Sequence, residues 1–178
     1  MEEVSAQWFA LRATYNRSLQ VEQVLRGKGI RTFIPMERRR VTRGGKSVWR
    51  MMPAVGGLLF ARSTQARLYE HIRSEGDRSV TRFIWDRASR LPLTVPEKQM
   101  DDFIRVCEGS GEEAVFLGSV DERLRAGARV RVVRGPLSGV EGRIVRLRKS
   151  RRVLVELPGL LSVASTYVPA TDLEYIGD

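Results

Sequence analysis

Met51-Met52-Pro53-Ala54-Val55-Gly56-Gly57-Leu58-Leu59-Phe60-Ala61 carries no charged and no hydroxyl side chain, in a chain whose residues are 29% charged. Arg50 and Arg62 close it on either side. A short apolar run with turn residues inside it reads as a buried strand. Gly56 and Gly57 argue against a buried helix, because each glycine inside one costs about 1 kcal/mol relative to alanine. Inside a strand, glycines mark a bulge or a close approach of backbones. Leu58-Leu59-Phe60 is therefore expected to be a central strand with the first half of the chain laid on it. Most of its side chains are core, and Leu58 and Phe60 are the two to consider as facing a partner.

Working outward toward the N-terminus, Gly44-Gly45 lies between two extended arms and predicts a hairpin turn. The arms, Glu37 to Val48, are crowded with arginine. Ile30 to Pro35 reads as a strand. Before it, Val21, Val24 and Leu25 stand at helical spacing, with Asn16 or Ser18 as cap and Gly27 and Gly29 as the stop. Gln7 to Ala13 is the first strand. Toward the C-terminus, Ser63-Thr64 caps a helix carrying Leu68 and Ile72 and ended by Gly76. Ser79 to Asp86 is a further strand. Thr94 and Pro96 open a third helix, on which Met100, Phe103, Ile104 and Cys107 form an apolar stripe. Strands alternating with helices predict an α/β sandwich.

Gly109 to Glu113 reads as a linker of small and charged residues. Beyond Asp121 the pattern changes to period two. Arg129 to Arg134 alternates, Gly135-Pro136-Leu137-Ser138-Gly139 turns, and strands follow at Val140 to Arg148, Val153 to Leu157, Ser162 to Val168 and near Leu173. Short strands separated by turns predict a small all-β barrel. The fold class expected is thus α+β, with domains at 5–108 and 121–178 and a linker at 109–120.

The net charge is +10 with a pI near 10.7. An anionic partner follows, nucleic acid first among them. Residues 1–114 carry 20 basic and 14 acidic side chains, and the remainder 11 and 7, so both halves are basic. A single cysteine excludes an internal disulfide and a multi-cysteine metal site. The N-terminal Met1-Glu2-Glu3-Val4 has no hydrophobic leader, and no apolar run approaches the ~20 residues that span a bilayer. A cytoplasmic protein without membrane association is expected. His71 and Cys107 have no ligand or nucleophile spacing around them, and no phosphate loop opens a helix. No enzyme, metal or cofactor is expected.

Arg129-Val130-Arg131-Val132-Val133-Arg134-Gly135-Pro136-Leu137-Ser138-Gly139-Val140-Glu141-Gly142 resembles a KOW motif, with Gly135, Pro136, Gly139 and Gly142 at its turn positions. Preceded by Trp8-Phe9-Ala10-Leu11-Arg12, it is similar to the NusG family, in which an N-terminal (NGN) domain precedes a KOW domain. Ile34-Pro35-Met36, Pro53-Ala54-Val55, Phe60-Ala61-Arg62-Ser63-Thr64 and Pro92-Leu93-Thr94-Val95-Pro96 resemble the UpxY-type antiterminators of capsular polysaccharide operons, comparable to RfaH. Val55-Gly56-Gly57-Leu58 stands where housekeeping members usually carry a Phe-Pro-Gly-Tyr type segment. The resemblance implies a factor that grips the clamp helices of the RNA polymerase β′ subunit and suppresses pausing and termination. The pocket it implies is formed by Trp8, Arg12, Leu58, Phe60 and Phe103. Phe103→Asp is expected to weaken polymerase binding more than it unfolds the domain.

Two basic clusters are the expected nucleic-acid contacts: Arg38, Arg39, Arg40, Arg43 and Lys46 around the hairpin, and Arg148, Lys149, Arg151 and Arg152 further on. Sparse aromatic interleaving favours phosphate contact over base stacking. Non-template DNA, nascent RNA and, through the barrel, a ribosomal protein are the further partners considered. The alternatives are a general NusG-like elongation factor and a KOW-type RNA- or ribosome-binding protein. Gly and Pro punctuate the C-terminal strands, so a stable barrel that does not refold into helices is expected.

Overall fold

A computed structural model describes residues 5–76, 79–118 and 127–177. Its packing divides into two units, Met1–Glu97 and Lys98–Asp178. The first strand, β1 (Gln7–Ala13), is followed by a tight turn over Thr14–Asn16 and by helix α1 (Ser18–Gly27). Tyr15 and Asn16 both take positive φ, and neither Asn16 nor Ser18 caps the helix; Arg17 holds that position without a side-chain bond. The expected cap fails because Asn16 turns the other way: its Oδ1 lies 2.6 Å from where a Cβ on Gly56 would stand. Strand β2 (Arg31–Phe33) is shorter than expected, and β3 (Met36–Arg43) and β4 (Lys46–Pro53) form a separate two-stranded ribbon. Gly44 and Gly45 turn it with φ of 58° and 76°, the geometry two-residue hairpins favour.

The apolar stretch that organises the sequence is therefore split. Met51 and Met52 end the exposed ribbon, while Leu58 begins the buried strand β5 (Leu58–Ser63). Gly57 makes the join. It has φ +75°, Ala13 donates its N–H to the Gly57 carbonyl at 2.7 Å, and a Cβ there would meet the Ala13 oxygen at 2.5 Å. This is the close backbone approach that the paired glycines predicted.

Helix α2 (Gln65–Ser74) starts at Thr64, whose hydroxyl accepts from the Arg67 N–H. Strands β6 (Thr81–Phe83) and β7 (Thr94–Val95) both pair with β1, giving the order β2-β5-β1-β6 with β7 beside β6 on the same edge. All these pairings are antiparallel. Alternation along β1 and β5 sends Phe9, Leu11, Ala13, Leu59 and Ala61 to one face. They pack there with Val21 and Leu25 of α1, Leu68 of α2, and Phe83. Phe83 meets Phe9 edge-on at 5.7 Å and Tyr69 at 4.8 Å.

A polar clamp holds the helices on that face. Glu75, just past α2, accepts from Ser79 Oγ at 2.8 Å, the Thr81 N–H at 3.2 Å and Thr81 Oγ1 at 3.1 Å. Lys28 Nζ donates to His71 Nδ1 at 3.0 Å. Because an ammonium only donates, His71 must be neutral with its proton on Nε2, which faces Glu75 Oε1 at 3.5 Å. Burial, helped by Lys28 and opposed by Glu75, lowers the His71 pKa below its ordinary 6.5. A lowered histidine pKa stabilises the fold fully above pH 6.5 and loses that contribution as pH falls toward the folded value. His71→Gln should flatten the pH dependence of the urea midpoint below pH 6.5. An unchanged slope would show that His71 is not its source.

In the second unit, helix α3 (Glu97–Ser110) is followed by a tight turn over Gly111–Glu113 and strand β8 (Val115–Leu117). Then come β9 (Arg129–Val132), β10 (Glu141–Leu147), β11 (Ser150–Leu157), β12 (Leu161–Ala164) and β13 (Leu173–Gly177). They make one six-stranded antiparallel sheet in the order β13-β9-β10-β11-β12-β8. Val153, Leu154 and Val155 are buried in succession, so both faces of β11 are covered.

The expected linker is structured over its described part. Ser110 Oγ accepts the Thr166 N–H at 3.1 Å, Arg152 donates to the Glu113 carbonyl at 2.7 Å, and β8 pairs with β12. The expected start of the second domain at Asp121 lies outside the described residues. Most of α3 groups with these strands, whereas the sequence division placed it before the boundary. Buried Asp102 ties α3 to β10: besides Lys98 Nζ of its own helix at 2.6 Å, it accepts from the Glu141 N–H at 3.2 Å. Lys98 and Arg105 then donate to the carbonyls of Gly139 at 2.9 Å and Ser138 at 2.5 Å.

Candidate interaction surfaces

The face of the first sheet opposite the helices carries four of the five expected pocket residues. In register, Trp8 lies opposite Arg62, Ala10 opposite Phe60 and Arg12 opposite Leu58. Trp8, Ala10, Leu58 and Phe60 are all buried to within 1%. Around this apolar strip stand Arg12 and Arg82, directly paired across β1 and β6, and Arg31 and Arg62, paired across β2 and β5. Arg31 sits over the Trp8 ring at 5.1 Å, and Arg62 is held by Glu97 at 3.0 Å. The Trp8 indole N–H is buried without a hydrogen-bond acceptor. Phe103, the fifth residue, belongs to the second unit and is fully buried on α3.

Paired arginines recur. Like charges directly opposite each other destabilise a sheet, yet Arg39 faces Arg50, Arg43 faces Lys46, and Arg146 faces Arg151. Each such pair gains from an anion laid between its members. The first two lie on the β3–β4 ribbon, which holds six basic residues and one acidic one. Arg39 is partly committed, to Glu37 and to the Ala54 carbonyl.

The second basic cluster divides. Arg148 and Lys149 form the two-residue turn between β10 and β11 with φ of 51° and 64°, and both are exposed. A left-handed pair without glycine is uncommon. Arg152 is structural instead. It donates to the Glu113 and Ser165 carbonyls at 2.7 and 2.8 Å, with its Nε buried.

The four turn residues singled out in the second unit also have different jobs. Gly135 and Gly139 adopt positive φ, of 80° and 90°. Gly142 does not; it lies in β10, where a Cβ would stand 2.4 Å from the Leu154 oxygen. Leu137, between Pro136 and Gly139, is buried, and Gly109 of α3 lies so near that a Cβ would be 2.7 Å from Leu137 Cδ2.

His71 and Cys107 remain as packing residues, on α2 and α3; burial pushes the Cys107 thiol far above its usual range. Among the described residues no three of His, Cys, Asp and Glu come together as metal ligands, and no helix is long and apolar enough to cross a membrane.

The family described as "Transcription termination factor nusG" matches residues 6–104, more than half of the chain. The chain belongs to the NusG family. The matched range runs through the first unit and into α3, taking in Trp8, Arg12, Leu58, Phe60, Phe103 and the basic ribbon. Among solved structures, NusG from Thermotoga maritima is 15% identical to this chain, with a TM-score of 0.49. The alignment covers 97% of this chain and 98% of that one. No curated protein matches. As a NusG-family member the chain is a transcription factor of mixed α+β fold, with an all-β sheet in its C-terminal half.

Proposed function

We propose that this chain rides on RNA polymerase and suppresses pausing and termination along particular operons, polysaccharide biosynthesis operons being those its sequence resembles. In this reading residues 5–108 bind the β′ clamp helices and residues 121–178 act as a KOW barrel that recruits a second partner, a ribosomal protein. The basic ribbon and the Arg148–Lys149 turn contact nucleic acid. The observation that carries the polymerase assignment is the arginine-rimmed apolar strip in a NusG-family chain, with the indole N–H of Trp8 unsatisfied beside it. A buried donor without an acceptor costs about 1–3 kcal/mol, a cost that an acceptor on a partner would remove. The strip is buried here, so engagement requires its uncovering. The mechanism is a population shift: a factor bound across the polymerase cleft favours the closed, elongating state by binding it more tightly.

The test is transcription in vitro with the cognate polymerase, through a terminator placed downstream of the protein's own promoter region. Read-through should rise with added protein, and unchanged read-through would overturn the assignment. Arg12→Ala probes the rim without disturbing the core, because Arg12 is exposed. It should weaken polymerase binding up to about fivefold, the upper end of what an exposed charge pair contributes, with the melting temperature unchanged. Unaltered binding would remove Arg12 from the interface.

A further inference from the structure

The β3–β4 ribbon has two faces of different chemistry. Alternation puts Glu37, Arg39, Val41 and Arg43 on one, opposite Met52, Arg50, Val48 and Lys46. The other face has Arg38 opposite Met51, Arg40 opposite Trp49, and Thr42 opposite Ser47. On it Trp49 is 59% exposed and Met51 58% exposed, although tryptophan normally finds cover. The Arg38 guanidinium lies 5.0 Å from the Trp49 ring centroid, and Arg40 is its cross-strand partner. Two residues along each strand toward the turn, on the same face, Thr42 Oγ1 and Ser47 Oγ are 3.0 Å apart.

We propose that the Trp49 face of this ribbon is a stacking platform for single-stranded RNA. The proposal deepens the nucleic-acid role given to the ribbon above and rests on it. An exposed indole beside a guanidinium offers a π surface to an unpaired base of any sequence. Arg38 and Arg40, on the same face, supply cations for the phosphates on either side of that base. A duplex does not fit this chemistry, because its bases are already stacked on one another. The hydroxyl pair favours RNA. It stands two residues along the strands from the Arg40–Trp49 pair, roughly 7 Å away and about the length of one nucleotide. A hydroxyl gives and accepts hydrogen bonds, as a ribose 2′-hydroxyl does. The Arg40 guanidinium on the same face can only donate. Bonded to each other, the two hydroxyls keep one O–H and free lone pairs that a ribose 2′-hydroxyl can engage and deoxyribose cannot.

Fluorescence anisotropy on the full chain tests this, with a labelled mixed-sequence 12-nucleotide RNA, the DNA of the same sequence, and the RNA duplex. Wild type should bind the single-stranded RNA most tightly and quench tryptophan emission on doing so. Trp49→Thr keeps a strand-forming residue but removes the ring. It should weaken RNA binding about tenfold, the effect of losing one stacked base. Trp49→Phe should keep most of the affinity and abolish most of the quench. Equal affinity for DNA and RNA would overturn the choice of RNA, and tight binding of the duplex would overturn the choice of a single strand. Unchanged binding by Trp49→Thr, with salt dependence retained, would overturn stacking and leave phosphate contact standing. If wild type binds none of the three, the nucleic-acid role of the ribbon falls with it, while read-through of the terminator still judges the polymerase assignment separately.

Discussion

Phe103→Asp is expected to destabilise the second unit by at least about 4 kcal/mol, and any loss of polymerase binding should follow from that unfolding. Truncating a buried phenylalanine alone costs about 3–5 kcal/mol, and a carboxylate left in its place adds the cost of burying an unpaired polar group. Phe103 is fully buried, as are Met100 and Val106 on the same helix. An interfacial role for Phe103 requires the rest of the stripe, Met100, Ile104 and Cys107, to bury α3 without it. Its complete burial removes that latitude. Denaturation of the full chain by urea, followed by far-ultraviolet circular dichroism, gives the answer. A Phe103→Asp protein with wild-type stability and lost polymerase binding would restore the residue to a purely interfacial role. Arg105→Gln, on the exposed side of α3, is the control and should cost about 1 kcal/mol for its bond to the Ser138 carbonyl.

Gly142→Ala is expected to be a severely damaging single-methyl change, costing about 3 kcal/mol, the upper part of the range for overpacking. The added Cβ would lie 2.4 Å from the Leu154 oxygen, 3.0 Å from its carbonyl carbon and 2.8 Å from Val153 Cγ1. Two of these three atoms are backbone of β11, held by the β10–β11 and β11–β12 pairings, so neither strand can retreat cheaply. Gly135→Ala tests the opposite requirement. Nothing lies near its Cβ position, but φ is +80°. Its cost is the left-handed conformation alone, about 1–2 kcal/mol. Urea midpoints for the two variants should therefore differ clearly, with Gly142→Ala the lower. Equal midpoints would show that β10 and β11 can separate by the ångström required.

What the sequence alone determined were features set by neighbouring residues. Gly44-Gly45 turned the ribbon because few other pairs accept two positive φ values in succession. Thr64 capped α2 because a β-region threonine before a helix reaches a free N–H there. The period-two runs after Arg129 became strands, and most of the residues quoted for the family resemblance lie in the NusG-family segment. Val115-Phe116-Leu117 carried no such signal, being too short, and became a strand because β12 offered it an open edge. Met51 and Leu58 look alike in one apolar run, yet one is exposed and the other buried, since only the chain reversal at Gly57 separates ribbon from sheet. Register decided the rest. It set Arg12 against Arg82 and Arg39 against Arg50, and it placed Trp49 on the face with Arg38, Arg40 and two hydroxyls. Composition had made the aromatics look too sparse for stacking, but composition counts residues along the chain. Stacking needs one ring with cations across the strand from it, and strand pairing is a long-range choice that no local pattern contains.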